Sequence, residues 1–294
     1  MESSSKVALF GTCRVSCIRN HFHCTDLDET ISFVHSTKEI IQLIKFITKQ
    51  IEIPTALSQY CFRTGILNSR PLVYSDSFLE QFNEAEFFVI EVCATKKYIF
   101  EGYYLHHLAV DKRLHYYRKS PAYIIEGTEV RHQDPQEIRD DIAEILELVH
   151  PRKVLLVSHI NATVETPCHR SVLRNIHAAA ARLIHRVFPS ISPSGATCES
   201  TISGTIIGKR AELIELLRTI AMDMGVAFFD PTVALSQYRQ NRILQTEAPG
   251  LPPGHYTDFG NEVMGCLYAD AIGQIRPRFD QGDSDLSLSP SKVT

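Results

Sequence analysis

The chain lacks any apolar run near the roughly 20 residues that a membrane-spanning helix needs. It lacks a basic-then-apolar leader: Met1-Glu2-Ser3-Ser4-Ser5 runs directly into the first apolar stretch, so a cytoplasmic location is the default expectation. It lacks any Cys-x2-Cys pair, and eight cysteines among 294 residues read as free thiols, not as a disulfide framework. Cys17, His21, His23 and Cys24 are ligand types, but their spacing fits no standard structural zinc site, so no metal is expected there. The chain has no excess of one charge. With 30 Lys and Arg against 34 Asp and Glu, its net charge of −4 creates no strong field toward nucleic acid or membrane. No internal repeat is present.

What is present is an alternation of short apolar runs and helical patterns. Val7 to Phe10 is a buried-strand pattern that Gly11 breaks, and Thr12 is placed to cap a helix start. Cys13 then falls where a strand ends and a helix begins, where a thiol feels the positive end of the helix dipole. Further strands are expected near residues 31–35, 87–93, 153–159 and 226–229. Between them, helical spacing marks residues 38–50, 77–84, 134–149, 170–188 and 209–224, and Thr257 is placed to cap a last helix to about Gln274. Strands alternating with helices imply an α/β fold: a three-layer sandwich around a mostly parallel five-stranded sheet. The expected organisation is one domain over residues 1–279, followed by a polar tail, 280–294, whose composition is that of disorder.

In such sheets ligands bind beyond the carboxyl ends of the strands. Cys13 lies at one such end, His159 and Asn161 follow another, and Asp230 closes the last. Residues 96–125 form an insertion after a central strand. It carries Lys96, Lys97, Tyr98, Tyr103, Tyr104, His106, His107 and further tyrosines and cations. Such interleaving suits stacking on sugars, a phosphorylated group or single-stranded nucleic acid. It equally suits an insertion whose tyrosines pack on the domain. The negative net charge argues against nucleic acid.

Two blocks carry a family resemblance. Gly11-Thr12-Cys13 follows the first strand, and His255-Tyr256-Thr257-Asp258-Phe259-Gly260 opens the last helix. In order and distance apart these resemble the first and last blocks of the SGNH (GDSL-like) hydrolase superfamily. The cysteine is similar to branches that replace its nucleophilic serine, such as GSCFA-domain and capsular-polysaccharide acetyltransferase-like proteins. The resemblance implies an SGNH-hydrolase or flavodoxin-like sandwich and an acyl hydrolase or O-acyltransferase, with carbohydrate or another small molecule as substrate. It implies Cys13 as nucleophile and His255 as base. No fixed cofactor is expected, though transfer would draw on an acyl donor such as acetyl-CoA. The chain departs from the pattern in two places. Pro252 stands where the family has its acid, which leaves Asp230, or alternatively Asp258, to orient the histidine. Cys93-Ala94-Thr95-Lys96 stands where the family has Gly-x-Asn-Asp. That leaves Asn161 or the Cys13 backbone N–H for the oxyanion, with Gly65 as the second-block glycine, and Thr12, Arg14, His159, Lys96, Lys97 and Tyr98 around the substrate. A non-catalytic carbohydrate- or ligand-binding module on the same fold is the competing expectation.

Overall fold

A computed structural model describes residues 6–25, 27, 31, 33–161, 196–245 and 254–280. Four parallel strands form its main sheet in the order β1 (Lys6–Phe10), β2 (Ala85–Val92), β6 (Lys153–Ser158), β7 (Ala227–Phe229). Side chains alternate across a strand, and that alternation creates two cores. Ala8, Phe10, Phe88, Ile90 and Leu156 face the helices Thr37–Ile47 and Pro135–Val149 and the buried side of Ala196–Met224. Val7, Leu9, Phe87, Val89, Leu155 and Val157 face the other way. There they meet the 3-10 helix Cys13–Asn20 and the helix Asp258–Asp280, through Val15, Ile18, Met264, Tyr268 and Ile272. The α/β three-layer class therefore stands as expected.

The strand count does not. Among the described residues, 31 and 33–35 form no strand: Gly11 and Phe33 make a single parallel bridge, and Val7 and Cys24 make another. The chain leaves the edge of β1 because the carbonyl of His35 accepts from the N–H groups of Cys93 and Ala94, each at 3.0 Å. Ser36 then caps the next helix, accepting from Glu39 N at 3.4 Å. The described chain along the outer edge of β1 is thus irregular, and among the described residues the main sheet has four strands instead of five.

The insertion begins as sheet. β3 (Lys96–Phe100) pairs antiparallel with β4 (Tyr103–Tyr104) and with β5 (Glu129–His132), forming a separate three-stranded sheet. Short 3-10 turns at His107–Ala109 and His115–Lys119 and the helix Ala122–Gly127 complete it. The helix expected over residues 170–188 and the tail beyond residue 280 lie outside the described residues. Among the described residues no helix is long and apolar enough to cross a membrane.

Candidate active site

β1 delivers Cys13 to the carboxyl edge of the sheet through a tight crossing. Glu91 shares the parity of Phe87 and Val89 on β2, so its side chain points to the same face as Cys13. There it is 2% exposed. A Cβ on Gly11 would stand 2.6 Å from the Cβ of Glu91, so only glycine fits at the end of β1. Beyond it, Thr12 donates to Glu91 Oε2 twice, from its backbone N–H at 2.7 Å and from its hydroxyl at 2.5 Å. Its hydroxyl oxygen also accepts from Arg14 N at 3.4 Å, which starts the 3-10 turn with Cys13 in its first position. Cys13 is exposed, in contrast to Cys17 and Cys24.

Arg14 joins this end of β1 to the other block. Its Nε lies 3.5 Å from Glu91 Oε1, and its Nη1 donates to the carbonyl of Gly254 at 2.5 Å. Burial pulls the guanidinium pKa down, but Glu91 with Cys93 and Tyr256 more than offsets this, so the net direction is upward. Gly254 precedes His255, and two further bonds hold that segment: Gln245 N donates to His255 O at 2.9 Å, and Thr257 N donates to Ile243 O at 2.8 Å. Thr257 then caps the last helix, accepting from Gly260 N at 3.0 Å.

The result is a cavity of about 440 Å³ lined by Cys13, Arg14, Ser16, Cys17, Asn20, Gln245, His255, Tyr256 and Asn261. Cys13 and His255, remote in sequence, share its wall. Tyr256 is fully enclosed, and burial, against the pull of Arg14, drives its phenol well above the usual tyrosine range. His159 lies buried after β6, with its Nδ1 against the carbonyl of Ile160. Burial first, then the charges of Arg14 and Arg210, hold its pKa well below the ordinary histidine value, so it is neutral there.

Neither His159 nor Thr12 is among the residues lining the Cys13 cavity, and the other expected residues go elsewhere. Asp230 caps the short helix Pro231–Ala234 by accepting from Thr232 N at 2.9 Å, and it pairs with Arg218 at 2.7 Å. Both carboxylate oxygens are thereby engaged, and Asp230 does not line the Cys13 cavity. Asp258 is the exposed first residue of the last helix. Asn161 lines a different cavity, of about 260 Å³, with Thr232 and Tyr238. Its amide Nδ2 donates to Ile207 O at 2.9 Å. Gly65 sits in the helix Arg63–Asn68, where a Cβ would meet the carbonyl oxygen of Gln59 at 2.6 Å; helix packing accounts for it. Lys97 is buried and paired with Glu137, while Tyr98 donates to Asp111 at 3.4 Å with Lys96 over its ring. No residue of the insertion lines the Cys13 cavity. Cys17 and Cys24 are buried, whereas His21 and His23 are exposed, so these four do not converge on one point.

The sequence does not single out Glu91, Gln245, Tyr256 and Asn261 as site residues. Only Glu91 carries a signal there: it is the one acid within the apolar run 87–93, which reads as a strand covered on both faces.

With this geometry in view, the comparison with known proteins is decisive on one point. The model of the TviD N-terminal domain matches residues 5–124 and 197–269, more than half of the chain. The chain belongs to the TviD N-terminal domain family. The Vi polysaccharide biosynthesis protein TviD of Salmonella typhi is 23% identical over 337 aligned residues, covering 100% of this chain and 35% of that protein. The chain therefore spans about a third of that relative's length. Among solved structures, the aryl esterase of M. smegmatis aligns over 92% of this chain and 99% of its own, at 13% identity and a TM-score of 0.38. A carbohydrate acetylesterase from Sinorhizobium meliloti aligns over 92% and 99%, at 13% identity and a TM-score of 0.37. The parallel sheet and its two cores establish the fold independently of these alignments.

Proposed function

We propose that the chain is an SGNH-like acyl hydrolase or O-acyltransferase acting on carbohydrate, with Cys13 as nucleophile and His255 as its base. One observation carries the reading: an exposed thiol at the end of β1 and the histidine of the last block line the same cavity, joined through the Arg14–Gly254 hydrogen bond. The family relationship to a protein of polysaccharide biosynthesis supports a sugar as the acceptor.

In this reading His255 takes the proton of Cys13 Sγ as the sulfur attacks the acyl carbonyl carbon. The C–S bond forms and the carbonyl becomes an oxyanion near the Cys13 N–H. When that intermediate collapses, the bond to the leaving group breaks and the imidazolium returns the proton to it. The thioester left on Cys13 is opened by water or by a sugar hydroxyl, whose proton His255 accepts and then passes to the thiolate. A thiol needs less assistance than a serine hydroxyl, so an orienting acid matters less here.

Intact-mass measurement after incubation with acetyl-CoA or an aryl acetate tests this. The expected result is one acetyl adduct, mapped to Cys13, absent in Cys13→Ala and formed more slowly in His255→Ala. An adduct confined to another cysteine, or none with any donor, removes the catalytic reading. The binding-module reading has its own support: among the described residues no carboxylate lines the cavity, and Asp230 is committed to Arg218. That reading gains if a glycan binds to the chain and no acyl adduct forms.

A further inference from the structure

Away from the Cys13 cavity, three imidazoles converge. His35 precedes Ser36, the cap of the helix Thr37–Ile47, while His106 and His107 open the 3-10 turn of the insertion. One ring nitrogen from each lies within 4.8 Å of the others. His35 stands edge-on to both partners, with ring centroids 5.0 Å from His106 and 4.2 Å from His107, and the latter two stack at 4.5 Å.

The arrangement leaves polar atoms unsatisfied. His106 Nε2 and His35 Nδ1 are buried and make no hydrogen bond, and neither does Glu39 Oε2. Buried polar groups without partners are uncommon and call for an explanation such as an ion. Of these, His106 Nε2 is the atom an ion would satisfy directly, while His35 Nδ1 and Glu39 Oε2 lie 3.8 Å from each other. Burial and the neighbouring imidazoles hold His106 and His107 far below the ordinary histidine pKa, so both rings are neutral, the form in which imidazole is a ligand.

We propose that His35, His106 and His107 form a binding site for a divalent transition-metal ion of the zinc class, which pins the insertion to the carboxyl end of β2. Imidazole is a preferred ligand of zinc, copper and nickel. Three histidines with an open fourth position are a known zinc arrangement, with Zn–N distances of about 2.0–2.1 Å, so small side-chain rotations close the set. Glu39 Oε2 lies 3.8 Å from His35 Nδ1, the place of a carboxylate that orients a ligating ring through its other nitrogen. Asp111, which draws His107 toward protonation, adds a second negative charge nearby. Against the ion stand Lys96 and Arg113 near His107 and Arg63 near His106, though Arg113 is paired with Asp111 at 2.6 Å. Leu108 N donates to His106 Nδ1 at 3.2 Å. Coordination through Nε2 would move the ring proton to Nδ1 and end that bond, and it would compete with the backbone contact of the ring with Phe33, which favours the protonated ring. The carbonyl of His35 holds Cys93 N and Ala94 N, so an ion here ties the insertion to the end of the central strand.

The test uses the full chain, stripped of metal with a chelator and titrated with Zn²⁺ alone against a chromophoric competitor. Co²⁺ serves as a spectroscopic probe. One equivalent is expected, with a rise in Tm on adding Zn²⁺ and tetrahedral Co²⁺ absorption. His35→Gln and His107→Gln avoid the fully buried His106, and each is expected to weaken binding at least tenfold and to remove the Zn²⁺-dependent rise in Tm. Their metal-free circular dichroism should match the parent, which separates ligand loss from misfolding. His21→Ala and Cys266→Ala are controls, because His21 Nε2 and Cys266 Sγ form a surface pair 3.9 Å apart. Absence of a stoichiometric equivalent overturns the proposal. So does binding that survives both glutamine variants or is lost in either control.

Discussion

At the scale of single residues, Glu91 organises the carboxyl end of the sheet. It is a buried carboxylate with three donors, from Thr12 twice and from Arg14. Removing one partner of a buried ion pair strands the other, at a cost of about 3–5 kcal/mol. Glu91→Ala is therefore expected to lower unfolding free energy by that order, and Glu91→Leu combined with Arg14→Met to recover most of it; a urea-denaturation double-mutant cycle measures both. Gly11→Ala meets the Glu91 side chain from the other direction and is expected to cost about 1–3 kcal/mol, the usual range for overpacking. The thiols give an independent residue-scale expectation. Burial pushes Cys17 and Cys61 up to about 12 and Cys24 up to about 11, and it raises Cys93 well above the ordinary thiol value against the pull of Arg14. The thiolate is the reacting form, so alkylation near neutral pH should label Cys13 and Cys266 and spare these four. Peptide mapping after brief iodoacetamide treatment reads this directly, and rapid labelling of Cys17 would show the cavity floor to be open.

At the scale of elements, the site is two chain turns held in register by one side chain. The turn after β1 carries Cys13, the turn before the helix Asp258–Asp280 carries His255, and Arg14 spans them from Glu91 to the carbonyl of Gly254. A lysine ammonium is a point charge on a flexible stem and does not reproduce the planar fork. Arg14→Lys is expected to leave Tm within a few degrees while lowering kcat/KM of any Cys13-dependent acyl transfer ten- to hundredfold, since misplacing reacting groups by about 1 Å costs that much. A loss confined to KM, with kcat intact, would mean that Arg14 acts in binding alone. Much of this element layer was legible in the sequence. β1, β2 and β6 are continuous apolar runs because both faces are covered, and Asp134 with Pro135 marked the helix Pro135–Val149 correctly. Residues 31–35 have strand composition, but the competing backbone bonds of His35 and the Ser36 cap are tertiary facts that no local pattern contains. The insertion was open to two readings, a ligand surface or tyrosines packed on the domain. Its alternating aromatics and cations read as a ligand surface, whereas Lys97 and Tyr98 are used in pairing and packing. The convergence of His35 with His106 and His107 was invisible for the same reason: helix start and insertion are remote in sequence and meet only in the fold.

At the scale of the whole molecule, the buried His106 and His159 and the half-buried His107 gather at the carboxyl end of the sheet and couple its stability to pH. Burial, then the neighbouring His35, lowers His107 to about 3, despite the opposing charge of Asp111. His106 and His159 are lowered well below the ordinary value, chiefly by burial. In the unfolded chain each takes a proton near pH 6.5, while in the folded chain His107 does so only near 3. Between those values the unfolded state binds more protons, so stability rises with pH there and is complete above about 6.5. Acidification from neutrality should therefore destabilise the fold from about pH 6.5 downward, by at most about 1.4 kcal/mol per pH unit for each such histidine. Carboxylates do not confuse the upper part of this window. Asp111, held down to about 2 by its hydrogen bond to Arg113, loses its contribution only as pH falls below its unfolded value of 3.8. The contribution of His107 to the slope is therefore read between about pH 4.5 and 6.5, above the range of Asp111. Urea-denaturation free energies measured across that range on the metal-free chain, for the parent and for His107→Gln, test the assignment. The parent is expected to lose stability steadily toward acid, and the variant to lose it with a slope shallower by about one proton. Equal slopes in the two would show that His107 titrates alike in folded and unfolded chains, and that its neutral state is not a cost the fold bears.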